Sequence, residues 1–326
     1  MDGSPTVSLY MKRTSYFLSC FAATAVLLGA HASFASERPA PPVRSGAMAE
    51  LEMQVLLDRV GFSPGEIDGE PGKNAREALA AFRAARGFPA GARGRKSLLL
   101  ALGAGSIEPI VSHTITAQEA AGPFIASIPQ DMTEQSNLAG LYYTSVLEAL
   151  GEKFHSAPAL LKRLNPTARF VAEEDIRVPN VSGAELSHHG TVKVVVSKRR
   201  SVLTVYDGHG KIIFHAPVTS GSEHDPLPLG NWTITAVVRN PTYNYNPELF
   251  WDADPSNARV TIPAGPNNPV GSVWMDLNKP HYGIHGTPEP RRIGYSESHG
   301  CVRLTNWDAL KLASLVTAGT RVVFAP

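Results

Sequence analysis

Hydrophobic positions change their period along the chain and divide it into a helical half and a β-rich half. Between residues 48 and 102, apolar side chains recur every three or four positions, which is the spacing of amphipathic helices. Breaks at Gly61 and at Gly87-Phe88-Pro89 divide this stretch into three short predicted helices. From residue 190 onward, β-branched runs such as residues 192–196, with Val at every second position, lie between Gly-containing turns, a pattern that predicts strands.

Two more helices and a closing strand are predicted between residues 141 and 181. The preceding stretch, residues 103–140, is rich in Ala, Ser and Thr, and we interpret it as a linker. One helix is predicted in the β-rich half, where Thr305 is a candidate N-cap with Asp308 three residues later. The predicted fold class is therefore α+β, with small helical modules preceding a mainly β domain at residues 190–325.

The N-terminal stretch, residues 1–35, has the features of a leader and secretory signal peptide. Lys12 and Arg13 precede an uncharged apolar run that ends in the small residues of Ala-Ser-Phe-Ala. A Pro-rich linker at residues 36–47 follows the predicted cleavage site. The alternative is an uncleaved membrane anchor, because the run is nearly long enough to span a bilayer. Either interpretation predicts an exported protein located in the periplasm or the cell wall.

Charge and cysteine content narrow the functional classes. The formal net charge of +1 over 326 residues gives no reason to expect a nucleic-acid partner. Of the two cysteines, Cys20 lies in the uncharged N-terminal run and Cys301 near the C-terminus. After cleavage Cys301 would have no partner for an intramolecular disulfide in an oxidising compartment. This makes it a candidate reactive thiol.

The segment around Cys301, residues 281–306, contains three histidines and several glycines. A thiol must lose its proton to act as a nucleophile, and imidazole is the side chain best matched to that task near neutral pH. His285 is the first candidate base and His299 the second. Arg303 follows the thiol by two residues, so in an extended segment it shares the face of Cys301 and can hold a substrate carboxylate.

The residues just before the thiol predict an oxyanion site. Ser298, His299 and Gly300 form a candidate tight turn, and the backbone N–H groups of residues 299–301 can converge on one oxygen. Glycine permits the φ values that such a turn requires. Nucleophile, base and oxyanion donors together predict acyl transfer.

Two phrases of this segment resemble the signature of YkuD-type L,D-transpeptidases: Ile284-His285-Gly286-Thr287, and Ser298-His299-Gly300-Cys301-Val302-Arg303-Leu304. The resemblance covers residues 190–324 and implies a YkuD-like β-sandwich with one packed helix. It implies that Cys301 attacks the third residue of a peptidoglycan stem peptide and expels the terminal D-alanine, with His285 as base. Arg303 would bind substrate together with Gly286 and Thr287, and no cofactor or metal is implied.

The two helical stretches resemble cell-wall modules. Residues 48–102 resemble a peptidoglycan-binding-like domain in the phrases Ile67-Asp68-Gly69 and Gly87-Phe88-Pro89. Residues 141–181 resemble a degenerate LysM module in Leu164-Asn165-Pro166 and in the closing Ile176-Arg177-Val178-Pro179. The implied partners are peptidoglycan stem peptides, glycan strands, and an outer-membrane or wall-attached protein as acceptor.

Other functions remain open from the sequence. His281, His285, His299 and Cys301 all carry atoms that bind zinc, although their spacing matches no familiar zinc motif. A non-catalytic wall-binding protein would use only the helical modules. An L,D-carboxypeptidase would share the same acyl-enzyme and use water in place of an acceptor amine.

Overall fold

The computed structural model describes residues 45–88, 95–183, 190–254 and 256–326, all within one compact unit. The predicted signal peptide lies outside these residues. Along the described parts of the chain, every helix is too short or too polar to cross a membrane.

The first part of the fold is a helical unit, residues 45–102. Its helices are α1 (Ser45–Arg59), α2 (Lys73–Ala85) and α3 (Arg95–Ala101), as the apolar spacing predicts. Phe62 packs edge-on against Phe82 with ring centroids 5.4 Å apart, inside a core that both helices α1 and α2 line. The predicted linker at residues 36–47 is too long, because α1 begins at Ser45 and Met48 already packs against buried apolar side chains.

The predicted linker at residues 103–140 is wrong over much of its length. It contains strand β1 (Ile110–Thr114) and helices α4 (Ala117–Ala121) and α5 (Met132–Ser136). Helices α6 (Val146–Lys153) and α7 (Pro158–Leu164) follow, and strand β2 (Asp175–Pro179) pairs antiparallel with β1. This middle unit therefore spans residues 110–179. It is held by a core that β2 shares with α6 and α7.

The predicted mainly β domain with one packed helix is confirmed. Its strands and its helix are β3 (Val192–Ser197), β4 (Val202–Asp207), β5 (Ile212–Pro217), β6 (Thr219–Ser220), β7 (Gly230–Arg239), β8 (Tyr243–Tyr245), β9 (Val260–Ile262), β10 (Val273–Leu277), β11 (Gly283–His285), β12 (Val302–Arg303), α8 (Asn306–Leu315) and β13 (Arg321–Ala325). Thr305 caps α8 by accepting a hydrogen bond from the Asp308 N–H at 3.2 Å.

The main sheet is one continuous nine-stranded sheet in the described residues, in the order β5-β4-β3-β13-β7-β10-β11-β12-β6. The long strand β7 joins two halves, pairing with β13 on one side and β10 on the other. Side chains from both halves, together with those of α8, form a single hydrophobic core. In a β-sandwich the two sheets are separate layers. Here the two halves of the sheet are joined through β7.

Buried polar contacts join the three units. The carboxylate of Asp58 in α1 is fully buried and lies 2.9 Å from His155 Nδ1 of the middle unit. Lys311 Nζ of α8 lies 2.9 Å from the other oxygen of Asp58. Burial acts to raise the pKa of Asp58, but the charge of Lys311 and the hydrogen bond with His155 hold it well below its usual range. His155 also stacks on Trp307 with ring centroids 5.2 Å apart.

Candidate active site

The short parallel pair of β11 and β12 brings the predicted nucleophile and base onto one face of the sheet. Ile284 lies opposite Val302, and His285 lies opposite Arg303. Because side chains alternate along a strand, His285 shares its face with Arg303 and with Cys301.

The Cys301 thiol is half-buried, and its Sγ lies 3.7 Å from the carbonyl oxygen of His281, to which it donates. Burial raises the pKa of the thiol, and the Asp276 carboxylate acts in the same direction. The Gly283 backbone and the Arg303 charge act against this rise without cancelling it. The resting side chain is therefore a protonated thiol at neutral pH.

His285 is buried, with Nδ1 at 2.7 Å from the carbonyl oxygen of Gly286. Burial lowers the pKa of His285 to about 3, and the positive charge of Arg303 acts in the same direction. A carbonyl can only accept, so Nδ1 carries the single proton of the neutral ring and Nε2 keeps its lone pair. The ring also stacks on Trp274 with centroids 5.2 Å apart.

The turn before the thiol is tied to a neighbouring strand. Ser298 Oγ donates to the Cys301 carbonyl at 2.6 Å and accepts from the Gly221 N–H at 2.7 Å. Gly300 has φ +98°, and a Cβ at this position would lie 2.7 Å from the Tyr282 ring. The turn therefore requires glycine both for its backbone conformation and for its contact with Tyr282.

His299, the second candidate base, is engaged elsewhere. Its Nε2 lies 2.9 Å from Asp252 Oδ1, and its ring meets Phe250 edge-on at 5.1 Å. These contacts attach the turn to the segment at residues 250–252. His299 thus supports its loop, and His285 is the base candidate that the sheet register favours.

Arg303 supplies a positive charge to the same face. Its Nε is buried and lacks a hydrogen-bond partner among the described residues. The charge acts on the thiol of Cys301, on the imidazole of His285 and on the hydroxyl of Tyr243. A guanidinium so placed is suited to bind a substrate carboxylate close to the nucleophile.

Gly286 and Thr287, predicted to touch substrate, directly follow β11 and are tightly packed. A Cβ at Gly286 would lie 2.1 Å from Asn306 Oδ1. Thr287 is buried, and its Oγ1 accepts from the Glu289 N–H at 3.2 Å. The Thr287 hydroxyl therefore supports the loop after His285, and substrate binding at Gly286 and Thr287 stays a prediction.

Several residues at the site were missed by sequence reasoning. Trp274 stands opposite His285 on β10, and Asp276 accepts from Trp274 Nε1 at 3.2 Å. Burial raises the pKa values of Tyr243 and Tyr282, and the charge of Cys301 adds to both shifts. The one local signal for these residues is the presence of aromatic side chains in the sequence around them.

A zinc site was the alternative prediction for the histidines of residues 281–306. Within the described ranges, no group of three or more His, Cys, Asp or Glu side chains is arranged to hold a metal ion. His281 is exposed and has φ +66°, and His299 is bound to Asp252.

The similarity to known proteins lies mainly in the β domain. The family model YkuD, the L,D-transpeptidase catalytic domain, matches residues 191–324. The putative L,D-transpeptidase YkuD of Bacillus subtilis is 53% identical over 179 residues, which are 54% of this chain and 91% of that protein. The protein of the same name from Bacillus licheniformis is 29% identical over 183 residues, 55% of this chain and 93% of that protein.

Among solved structures, an L,D-transpeptidase from Mycobacterium smegmatis aligns with a TM-score of 0.34 at 20% identity. The alignment covers 48% of this chain and 64% of that one. The family assignment rests on the sequence relatives.

Proposed function

The chain belongs to the YkuD family of L,D-transpeptidases, and from this premise we propose that Cys301 is its nucleophile and His285 its base. In this mechanism the Cys301 thiol gives its proton to His285 Nε2 as sulfur attacks the carbonyl of the third stem-peptide residue. The backbone N–H groups of residues 299–301 hold the oxyanion. Collapse of this intermediate expels the terminal D-alanine, whose amine takes the proton from His285.

The second half of the reaction reverses these proton movements. An acceptor amine attacks the thioester and gives a proton to His285. The C–S bond breaks, and the thiolate recovers the proton as the new peptide bond forms. The net change is exchange of D-alanine for the acceptor amine, so no cofactor is needed to balance it.

The observation that carries this proposal is the shared sheet face of Cys301 and His285. A protonated thiol beside a neutral imidazole is a resting pair without charge separation. Proton transfer then accompanies attack on the carbonyl, and the positive charge of Arg303 favours the thiolate that develops. We further propose that Arg303 binds a carboxylate of the stem peptide.

The wall polymer is also the proposed partner of the helical unit. A cleft of about 460 Å³ opens between residues 64–75 of that unit and residues 290–296 of the β domain. It is lined by both charges, among them Glu66, Asp68, Arg291 and Arg292. Stem peptides carry ammonium and carboxylate groups, so a cleft of mixed charge suits them. A peptidoglycan substrate also fits the predicted export to the periplasm or wall.

Product analysis with a defined stem tetrapeptide tests the function. We expect release of D-alanine and formation of cross-linked dimer, both absent in Cys301→Ala. Release of D-alanine without dimer, at any acceptor concentration, would identify a carboxypeptidase that uses water. An active Cys301→Ala variant would contradict the proposed nucleophile.

A further inference from the structure

The loop between β11 and β12, residues 286–301, joins the candidate base to the candidate nucleophile, and its middle residues contact the helical unit. Asn74, in the first turn of α2, is buried, and its Nδ2 donates to the Ile293 carbonyl at 2.9 Å. Gly72 stands at the N-cap of α2, so the Asn74 side chain does not cap this helix. The Asn74 amide is instead directed at the β domain.

Gly294, the next residue of the loop, fits closely against the same amide. Its φ is +85°, and a Cβ at this position would lie 2.4 Å from Asn74 Oδ1. Lys73 adds a second contact from α2, because its Nζ donates to the Gly294 carbonyl at 3.5 Å and to Ser201 Oγ at 3.2 Å. Residue 294 therefore requires glycine both for its backbone conformation and for the approach of Asn74.

Gly294 is also hydrogen-bonded to β6, the short strand that pairs with β12. Thr219 of β6 is buried, and its Oγ1 accepts from the Gly294 N–H at 3.2 Å. The same hydroxyl donates to the Arg292 carbonyl at 3.4 Å. The backbone of Thr219 lies opposite Arg303 of β12. The middle of the loop is thus held by both α2 and β6.

The end of β6 supports the catalytic turn, residues 298–301. Gly221 directly follows β6, and its N–H donates to Ser298 Oγ at 2.7 Å while its carbonyl accepts from the Ser298 N–H at 3.3 Å. Ser298 Oγ in turn donates to the Cys301 carbonyl at 2.6 Å. Hydrogen bonds and one short strand therefore connect Asn74 to the backbone of Cys301 without a gap.

We propose that Asn74, which lies outside the residues matched by the family model, is a positioning residue for Cys301 and acts through Gly294 and β6. This inference rests on the proposed function of Cys301 as nucleophile. Asn74 keeps the loop seated on β6, and the loop and β6 together fix the catalytic turn relative to His285. The helical unit thereby contributes to the rate of acylation, in addition to its proposed binding of the wall polymer.

The test measures acylation of the full chain by a stem tetrapeptide at a series of tetrapeptide concentrations, followed by intact mass. In Asn74→Ala the Ile293 carbonyl loses its donor, so we expect the maximal acylation rate constant to fall about 10-fold. The half-saturating concentration should stay within about two-fold of wild type, because the displaced group is the nucleophile. Asn74→Asp keeps the side-chain volume without the donor, and the same loss is expected.

Glu77→Ala is the matched control. Glu77 lies on the same helix and also joins it to the β domain, but through the turn between β3 and β4, where Arg200 Nε donates to Glu77 Oε2 at 2.9 Å. We expect the wild-type rate constant from this variant. A role in stability alone would leave the acylation rate constant per folded molecule unchanged, with the folded fraction measured by circular dichroism under the assay conditions.

Two results would overturn the inference: a rate constant per folded molecule within about two-fold of wild type in Asn74→Ala, or an equal loss in Glu77→Ala. If Asn74→Ala does not fold, Asn74→Asp decides in the same way. Absence of acylation in the wild-type chain would instead contradict the proposed function.

Discussion

Trp274 and His285 stand opposite each other on antiparallel strands β10 and β11, with ring planes inclined by 24°. The indole covers one side of the imidazole, and its own Nε1 donates to Asp276. Gly283, two residues before His285, leaves room for this indole, since a Cβ there would lie 2.3 Å from the Trp274 ring. The orientation of the base therefore depends on a side chain from a strand that carries none of the motif residues.

Replacing Trp274 tests that dependence. In Trp274→Ala the imidazole loses its stacking partner and gains rotational freedom, so we expect acylation to slow by about 10-fold. Trp274→Phe keeps an aromatic face and should recover most of the rate. Stopped-flow acylation of both variants measures the effect. Equal rates in the alanine variant and wild type would show that the stack does not orient the base.

Ser298 is expected to matter for stability as well as for rate. Its hydroxyl bridges the Gly221 N–H and the Cys301 carbonyl, and the side chain is buried. Ser298→Ala leaves both backbone groups without this partner, which should lower the free energy of unfolding by about 2 kcal/mol. Chemical denaturation measures the loss. Ser296→Ala, which removes a half-buried hydroxyl that donates to the Arg292 carbonyl of the same short turn, is the control and should change the stability by less than about 1 kcal/mol.

The thiol should alkylate slowly at neutral pH. Burial holds the pKa of Cys301 above its ordinary value, so the thiolate fraction at pH 7 is smaller than in a free cysteine. We expect the iodoacetamide rate to be below that of free cysteine at pH 7 and still to be rising above pH 9. Fast alkylation that is independent of pH from pH 6 upward would instead indicate a resting thiolate–imidazolium pair.

Asp58 is expected to stabilise the packing of α1 against the middle unit and α8. Asp58→Asn leaves the Lys311 ammonium without its buried partner, and we expect a loss of about 3 kcal/mol in the free energy of unfolding at pH 7. Because the pKa of Asp58 is lowered in the fold, its contribution is complete above the unfolded-state pKa near 4 and is lost as the pH falls further.

Urea denaturation at several pH values tests this charge dependence. The difference between wild type and Asp58→Asn should be constant from pH 7 to pH 5 and shrink below about pH 4. A difference that persists unchanged into acid would show that the charge of Asp58 is not the stabilising feature.

The chemistry of the site is predictable from the sequence because it lies in one local segment. Cys301 and His285 are separated by a single loop, and the resemblance of their two phrases points to the same pair. Substrate contact at Gly286 and Thr287 stays a prediction, because their place next to His285 is their only sequence signal. Proximity to His285 in sequence does not tell which residues point into the site and which lie beneath it.

Long-range pairing explains the other differences. Strand β1 has five residues with a weak apolar pattern, and its partner β2 begins more than sixty residues later. Nothing local distinguishes such a strand from a polar linker. Trp274 likewise reaches the base only through the tertiary fold, as a partner of His285 across β10 and β11.

Acylation kinetics of His285→Ala, with Cys301→Ala as the blank, test the central claim most directly. The intact mass of the protein, followed over time with a stem tetrapeptide, reports the thioester adduct on Cys301. We predict no adduct in Cys301→Ala and an acylation rate in His285→Ala reduced by about 10²- to 10⁴-fold at pH 7. Acylation of His285→Ala at the wild-type rate would contradict the assignment of His285 as the base.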